Sequence, residues 1–222
     1  MIASESGPRS KPRLRGWSHA IACGGAILTM IALCIRGSDS IATLLALGVY
    51  GASTILLYGA SATYHLGPWH GPRRAAFRSI DHASIYVLIA GTFTPFCVTL
   101  LAGSERVVVL ALIWGIAAIG VCASILAPNL PRRYSVGLYL GMGWMGLIPA
   151  PTLIGLLPAS ALALLLSGGL LYSIGAIIYA RRRPDPFPST FGYHEIFHLF
   201  VIAGNAAFLT VIWIWVAPAT PH

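Results

Sequence analysis

Apolar residues run along the chain in seven long blocks separated by short polar links, near 17–36, 42–66, 79–101, 106–126, 135–157, 159–180 and 193–217. Each block is about as long as the roughly 20 residues a helix needs to cross a hydrocarbon core. A backbone in that medium must satisfy its own hydrogen bonds, which leaves helices or a closed barrel. Barrel strands would be short and alternate apolar with polar residues, whereas these blocks are continuous. The pattern therefore predicts an all-α bundle of seven transmembrane helices. Proline places the cut between the fifth and sixth blocks. Residues 134–180 hold no charged side chain, and as a single helix they would run roughly 70 Å, about two bilayer cores. Pro158 marks the turn, while Pro149 and Pro151 predict a kink within the fifth span and Pro95 another within the third. Residues 1–16 read as a basic tail and residues 17–217 as one membrane domain.

Composition agrees, with 57% hydrophobic and 9% charged residues against about 25% charged in soluble domains. The net charge of +8 is unevenly placed. Arg9, Lys11, Arg13 and Arg15 precede the first span; Arg73, Arg74 and Arg78 lie between the second and third; Arg132 and Arg133 precede the fifth; Arg181, Arg182 and Arg183 follow the sixth. With seven spans, all of these fall on one side, and only Arg36 and Arg106 fall on the other, beside Asp39 and Glu105. Basic short loops stay in the cytoplasm, so the N-terminus is expected inside and the C-terminus outside a plasma membrane crossed many times. Charges confined to membrane edges also argue against a nucleic-acid partner. The first block is longer than a signal-peptide core and lacks a small-residue cleavage site, so it is read as a retained helix. Cys23, Cys34, Cys97 and Cys122 lie in apolar runs without CxxC spacing, as small hydrophobes rather than a disulfide frame.

Ionisable residues inside spans are costly and mark function. Ser61 and His65 come late in the second span, Asp81 and His82 early in the third, and His194, Glu195 and His198 early in the seventh. The alternating topology puts all of them at one depth, near the cytoplasmic face. His194 and His198 are four residues apart and share a helix face, as do Ser61 and His65. Two imidazoles at that spacing with a third from another helix, His65, match a catalytic zinc site of three protein ligands and an open position. Asp81 is suited to bind the metal, to accept a bond from its water, or to orient a histidine. The same spacing also suits histidines that are merely hydrated or hydrogen-bonded to neighbours. His82 lies about 100° around the helix from Asp81 and reads as a hydrogen-bonding partner. His19, His70 and His222 read as incidental. The string His194-Glu195-Ile196-Phe197-His198 is also an H-E-x-x-H pattern, in which Glu195 would be the general base of an intramembrane metalloprotease.

Several short strings carry a resemblance across nearly the whole chain beyond the tail. They are Ser61-Ala-Thr-Tyr-His65-Leu66, Asp81-His82-Ala83, Gly91-Thr-Phe-Thr-Pro95-Phe96, Gly141-Met-Gly-Trp144, Gly168-Gly-Leu-Leu-Tyr172 and Phe191-Gly-Tyr-His194-Glu-Ile-Phe-His198-Leu-Phe. In this order they resemble the hemolysin III family, within the wider progestin and adiponectin receptor group. The resemblance implies seven helices, an internal N-terminus and a zinc ion near the cytoplasmic face. Its metal histidines match His65, His194 and His198, and its Ser and Asp positions match Ser61 and Asp81. Related receptors are linked to ceramide hydrolysis. Two departures stand out. Asn205 and Phe208 follow the last histidine where a further His often occurs, and Glu195 is acidic where receptor members often are not.

Three functions are thereby expected to compete. One is a zinc-dependent hydrolase of a lipid amide or ester, with Asp81 as base and Ser61 as oxyanion or positioning group. A second is a regulator of membrane state with structural zinc, and the third is a pore former. Polar residues confined to one membrane side argue against a wide pore. Membrane lipids are the expected partners.

Overall fold

The structure, a computed structural model, describes residues 12–219. Helices α1 (Trp17–Arg36), α2 (Ile41–Leu66), α3 (Gly71–Leu100) and α4 (Gly103–Leu126) follow one another through short links. The fifth span is broken into α5 (Arg132–Trp144), a 3-10 turn (Met145–Leu147) and α6 (Ala150–Leu156), bent by 49°. Then come α7 (Ala159–Arg181) and α8 (Tyr193–Val211), the latter prolonged by a π turn over Ile212–Val216. Six helices are each long and apolar enough to cross a membrane, and the bent pair makes the seventh span. Apart from an isolated bridge between Phe187 and Phe191, no β structure occurs among the described residues.

Local chemistry explains the breaks. Pro149 caps α6 and Pro158 caps α7, since neither can donate the amide that would continue the preceding helix. The kink expected in the fifth span and the turn expected at Pro158 are both present. Ser40 caps α2 by accepting from the Thr43 amide. One boundary departs from expectation: α3 begins at Gly71 rather than near 79, with Pro72 in its first turn. Proline there pre-sets the helical φ without losing a needed hydrogen bond. Arg73, Arg74 and Arg78 therefore lie on the first turns of a helix, not in a linker. The third helix runs through Pro95 to Leu100 as one element.

Neighbouring contacts close the helices into a ring, with α1 against α2 and α8, α3 against α2 and α4, α5 against α3, α4 and α7, and α7 against α8. Helix α3 is the innermost, its most apolar window 72% buried against 17% for α1. Outward faces carry bare apolar side chains such as Leu28, Ile35, Leu45, Leu126 and Ile154, as expected of surfaces solvated by lipid tails. Inside, close packing depends on missing side chains. A Cβ at Gly168 would lie 3.3 Å from the Gly204 carbonyl, and one at Gly204 would lie 3.2 Å from the Gly168 carbonyl. This small-residue seam brings α7 and α8 backbone to backbone. A buried polar tie, Tyr50 Oη to Asn205 Oδ1 at 3.0 Å, joins α2 to α8. At the end of the bundle away from the basic clusters, Arg36 donates to the Trp213 carbonyl at 2.8 Å and lies over its ring.

Candidate metal centre

Three helices bring the singled-out polar residues together. Late in α2, Ser61 and His65 both lie on the buried face. Asp81 is the first buried residue of α3, reached after the exposed turns that carry its arginines. The start of α8 is fixed by two carboxylates. Asp185 accepts from the Tyr193 amide at 3.2 Å and Glu195 accepts from the Gly192 amide at 2.7 Å, each placing negative charge at a helix N-terminus. That anchoring sets His194 and His198 one turn apart, facing α2.

Among the described residues, His65, His194 and His198 form a group whose ligand atoms all lie within 4.8 Å of one another. His65 Nε2 and His194 Nε2 are 3.0 Å apart. Ring centroids are separated by 4.7 Å for His65–His194, 4.6 Å for His194–His198 and 5.3 Å for His65–His198. A tetrahedral ion with metal–nitrogen bonds near 2.0–2.1 Å would set its nitrogens roughly 3.3 Å apart, near the 3.0 Å of the His65–His194 pair. Simple mutual hydrogen bonding does not satisfy the cluster. His198 Nδ1 is buried with no hydrogen-bond partner among the described residues, an orphaned acceptor or donor that costs about 1–3 kcal/mol. Three imidazoles brought together on one point, one of them with an unpaired nitrogen, fit a cation.

The surrounding groups divide into two sets. Asp81 Oδ2 lies 4.0 Å from His65 Nε2 and 3.6 Å from His82 Nδ1, and Ser61 is within hydrogen-bonding reach of the Asp81 carboxyl. The Asp81 carboxyl thus stands beside the cluster, with the hydroxyl of Ser61, one turn from His65, within reach. His82 is occupied elsewhere: Nδ1 meets the Arg78 carbonyl at 2.8 Å, and Nε2 meets Tyr179 Oη at 3.3 Å. Glu195 is likewise engaged, with one carboxylate oxygen on the Gly192 amide and the other in an ion pair with Arg15.

Two residues were not legible as site residues. His19 is 2% exposed and stacks on His198, with centroids 3.7 Å apart and planes 9° from parallel. It is a wall of the cluster, which corrects its reading as incidental. The available signal was its depth, since α1 starts at the same face as α3 and α8. Arg15 is the other, because nothing in the sequence pairs it with Glu195. His70 caps α3 without a side-chain bond; His222, like Arg9 and Lys11 of the tail, lies outside the described residues.

The segment 12–16 crosses the cluster on its outer side. Arg13 and Leu14 amides donate to the Ser189 and Thr190 carbonyls at 3.1 and 3.2 Å. Gly16 follows with φ +91°, and a Cβ there would fall 2.7 Å from His65 Cβ. Only glycine gives both that backbone conformation and that approach.

Sequence similarity to known proteins extends across the chain. Residues 8–209 match the family described as Haemolysin-III related. The chain belongs to the haemolysin-III family. Hemolysin-3 of Bacillus cereus is 35% identical over 204 residues, covering 90% of each chain. The Hemolysin-3 homolog of Bacillus subtilis is 36% identical over 159 residues, 72% of this chain and 71% of that one. More distantly, the Adiponectin receptor protein of Drosophila melanogaster is 27% identical over 215 residues, 87% of this chain and 47% of the receptor. This haemolysin-III protein is therefore a multi-pass membrane protein with a three-histidine group able to hold a metal ion.

Two cavities meet at the histidines. A smaller one of about 120 Å³ is lined by Leu88, Phe93, Trp144, Val201 and Phe208 together with Ser61, Asp81, His194 and His198. A wider chamber of about 460 Å³ opens from His65 and His194 toward the arginine-bearing helix ends.

Proposed function

We propose that the chain is a zinc-dependent hydrolase acting on an amide or ester bond of a membrane lipid, in the plasma membrane, with the basic end of the bundle in the cytoplasm. The observation that carries this reading is the position of Asp81. A carboxylate stands 4.0 Å from His65 Nε2 in the lining of an apolar cavity. A structural metal site needs neither a carboxylate beside the histidines nor the cavity.

His65, His194 and His198 would hold the ion, and zinc so bound supplies a Lewis acid and a water acidified toward about pKa 7. The chain's own residues do the rest. The apolar cavity takes the hydrocarbon chain and excludes bulk water. Asp81 accepts the proton of the attacking water and returns it to the leaving nitrogen or oxygen, so that water divides between a carboxylic acid and an amine or alcohol. Ser61 orients Asp81 and can donate to the developing oxyanion. Asp81 is favoured over Glu195 as base because both Glu195 oxygens are committed to the helix start and to Arg15.

The test is turnover in reconstituted vesicles. Fatty-acid release from N-acyl and O-acyl lipids, followed by mass spectrometry, should occur with the wild type and vanish in Asp81→Asn and His198→Ala. Metal analysis should find the ion retained in Asp81→Asn and lost in His198→Ala. A metal-loaded wild type that releases no fatty acid from any lipid would favour the regulator instead.

A further inference from the structure

The chamber on the basic side of the histidines differs from the apolar cavity in kind. Arg15, Arg78, Arg132 and Arg182 line it, and no Asp or Glu does. Arg15 is neutralised by Glu195. The other three have no carboxylate partner among the described residues. Retention of arginine at the cytoplasmic edge accounts for basic residues in general, and Arg73, Arg74, Arg133, Arg181 and Arg183 are indeed exposed. It does not account for Arg78 and Arg132, which are half-buried and line the chamber.

Both are held in place. Arg78 Nη2 donates to the Pro128 carbonyl at 3.0 Å and to Asn129 Oδ1 at 3.1 Å, across to the link before α5. Arg132 Nη1 donates to the Tyr179 carbonyl at 3.0 Å, and its guanidinium lies 4.1 Å from the centre of the Tyr179 ring. These bonds use one terminal nitrogen of each guanidinium, a group with five N–H donors. Two fixed guanidinium forks and a third at Arg182 therefore face a chamber that contains no negative charge. Forks of this kind match the oxygens of phosphate and carboxylate. The chamber adjoins the apolar cavity, since His82, Ile85, Tyr139, Tyr179, His194 and Phe197 line both. A ligand filling the two would have an apolar chain on one side of the histidines and an anionic group on the other.

We propose that the chamber is a head-group subsite for an anionic amphiphile, with Arg78, Arg132 and Arg182 binding its phosphate. This deepens the hydrolase reading by naming the substrate class, and it is tested by binding alone, so that either can fail without the other. The probes are 1-oleoyl-glycerol 3-phosphate, monooleoylglycerol with the same chain, and inorganic phosphate. Each is titrated calorimetrically into the full chain in an uncharged detergent. The phosphate-bearing lipid should bind the wild type at least about tenfold more tightly than the neutral one, with an advantage that shrinks as salt rises.

Arg78→Gln combined with Arg132→Gln should abolish that advantage. Arg73→Gln combined with Arg74→Gln removes equal charge from the exposed side of α3 and should keep it. Because Arg132 also braces Tyr179, Arg182→Gln serves as a second variant; it lies on the surface and should weaken the phosphate-bearing lipid several-fold while leaving the neutral one unchanged. The preference should persist in His198→Ala, whether or not the wild type hydrolyses any lipid. Equal affinity for the two lipids, equal losses in the inward and outward arginine pairs, or inorganic phosphate binding as tightly as its lipid would each overturn the proposal.

Discussion

Three carboxylate and imidazole residues near one another, Asp81, Glu195 and His19, have different work, decided by what touches each. Asp81 has a hydroxyl within reach and a ligand histidine 4.0 Å away, so Asp81→Asn should keep the metal and lose turnover by several orders of magnitude. Glu195 closes the start of α8 and pairs with Arg15. Glu195→Gln should keep the metal as well but lower the melting temperature, because one partner of a largely buried ion pair is left without its counter-charge. Hydrogen exchange should speed up over residues 12–16 in the same variant. His19 shields His198 by stacking rather than by ligation. His19→Ala should weaken metal affinity by about tenfold, the lower end for residues that support ligands, and His19→Phe should restore most of it. A metal affinity unmoved by His19→Ala would remove its supporting role.

At the scale of elements, the site depends on where helices start and how closely they approach. The spans could be read from apolar runs because lipid leaves a backbone no alternative to helix. Proline marked the break before α6 and the turn before α7 for equally local reasons. The start of α3 could not be read that way. Residues 71–78 are polar enough to pass for a loop, and they are helical because Pro72 initiates the helix and the exposed arginines face the membrane edge. Segment 12–16 was illegible too, because its anchors, Ser189, Thr190, Glu195 and His65, are all distant in sequence. Its tightest point makes a direct prediction. Gly16→Ala must place a methyl against His65 in a left-handed backbone conformation, which should cost about 1 kcal/mol or more in stability. Metal affinity should fall with it, whereas Gly24→Ala, on open space in α1, should change neither.

For the whole molecule, topology converts scattered residues into a centre. The late part of α2 and the early parts of α3 and α8 share one depth only because successive spans alternate in direction. That made His65, Asp81, His194 and His198 legible together, while the ring packing that brings α1 and His19 beside α8 was not. Orientation follows from the same alternation. A reporter fused near position 10 should be cytoplasmic and one after His222 external; both on one side would contradict an odd number of spans. The central claim is one metal ion per chain on His65, His194 and His198, and metal content of the purified protein tests it most directly. Elemental analysis should find about one zinc per wild-type chain, released as the pH falls and the imidazoles protonate, and little in His65→Ala, His194→Ala or His198→Ala. Full zinc occupancy in a folded His65→Ala variant would contradict the assignment.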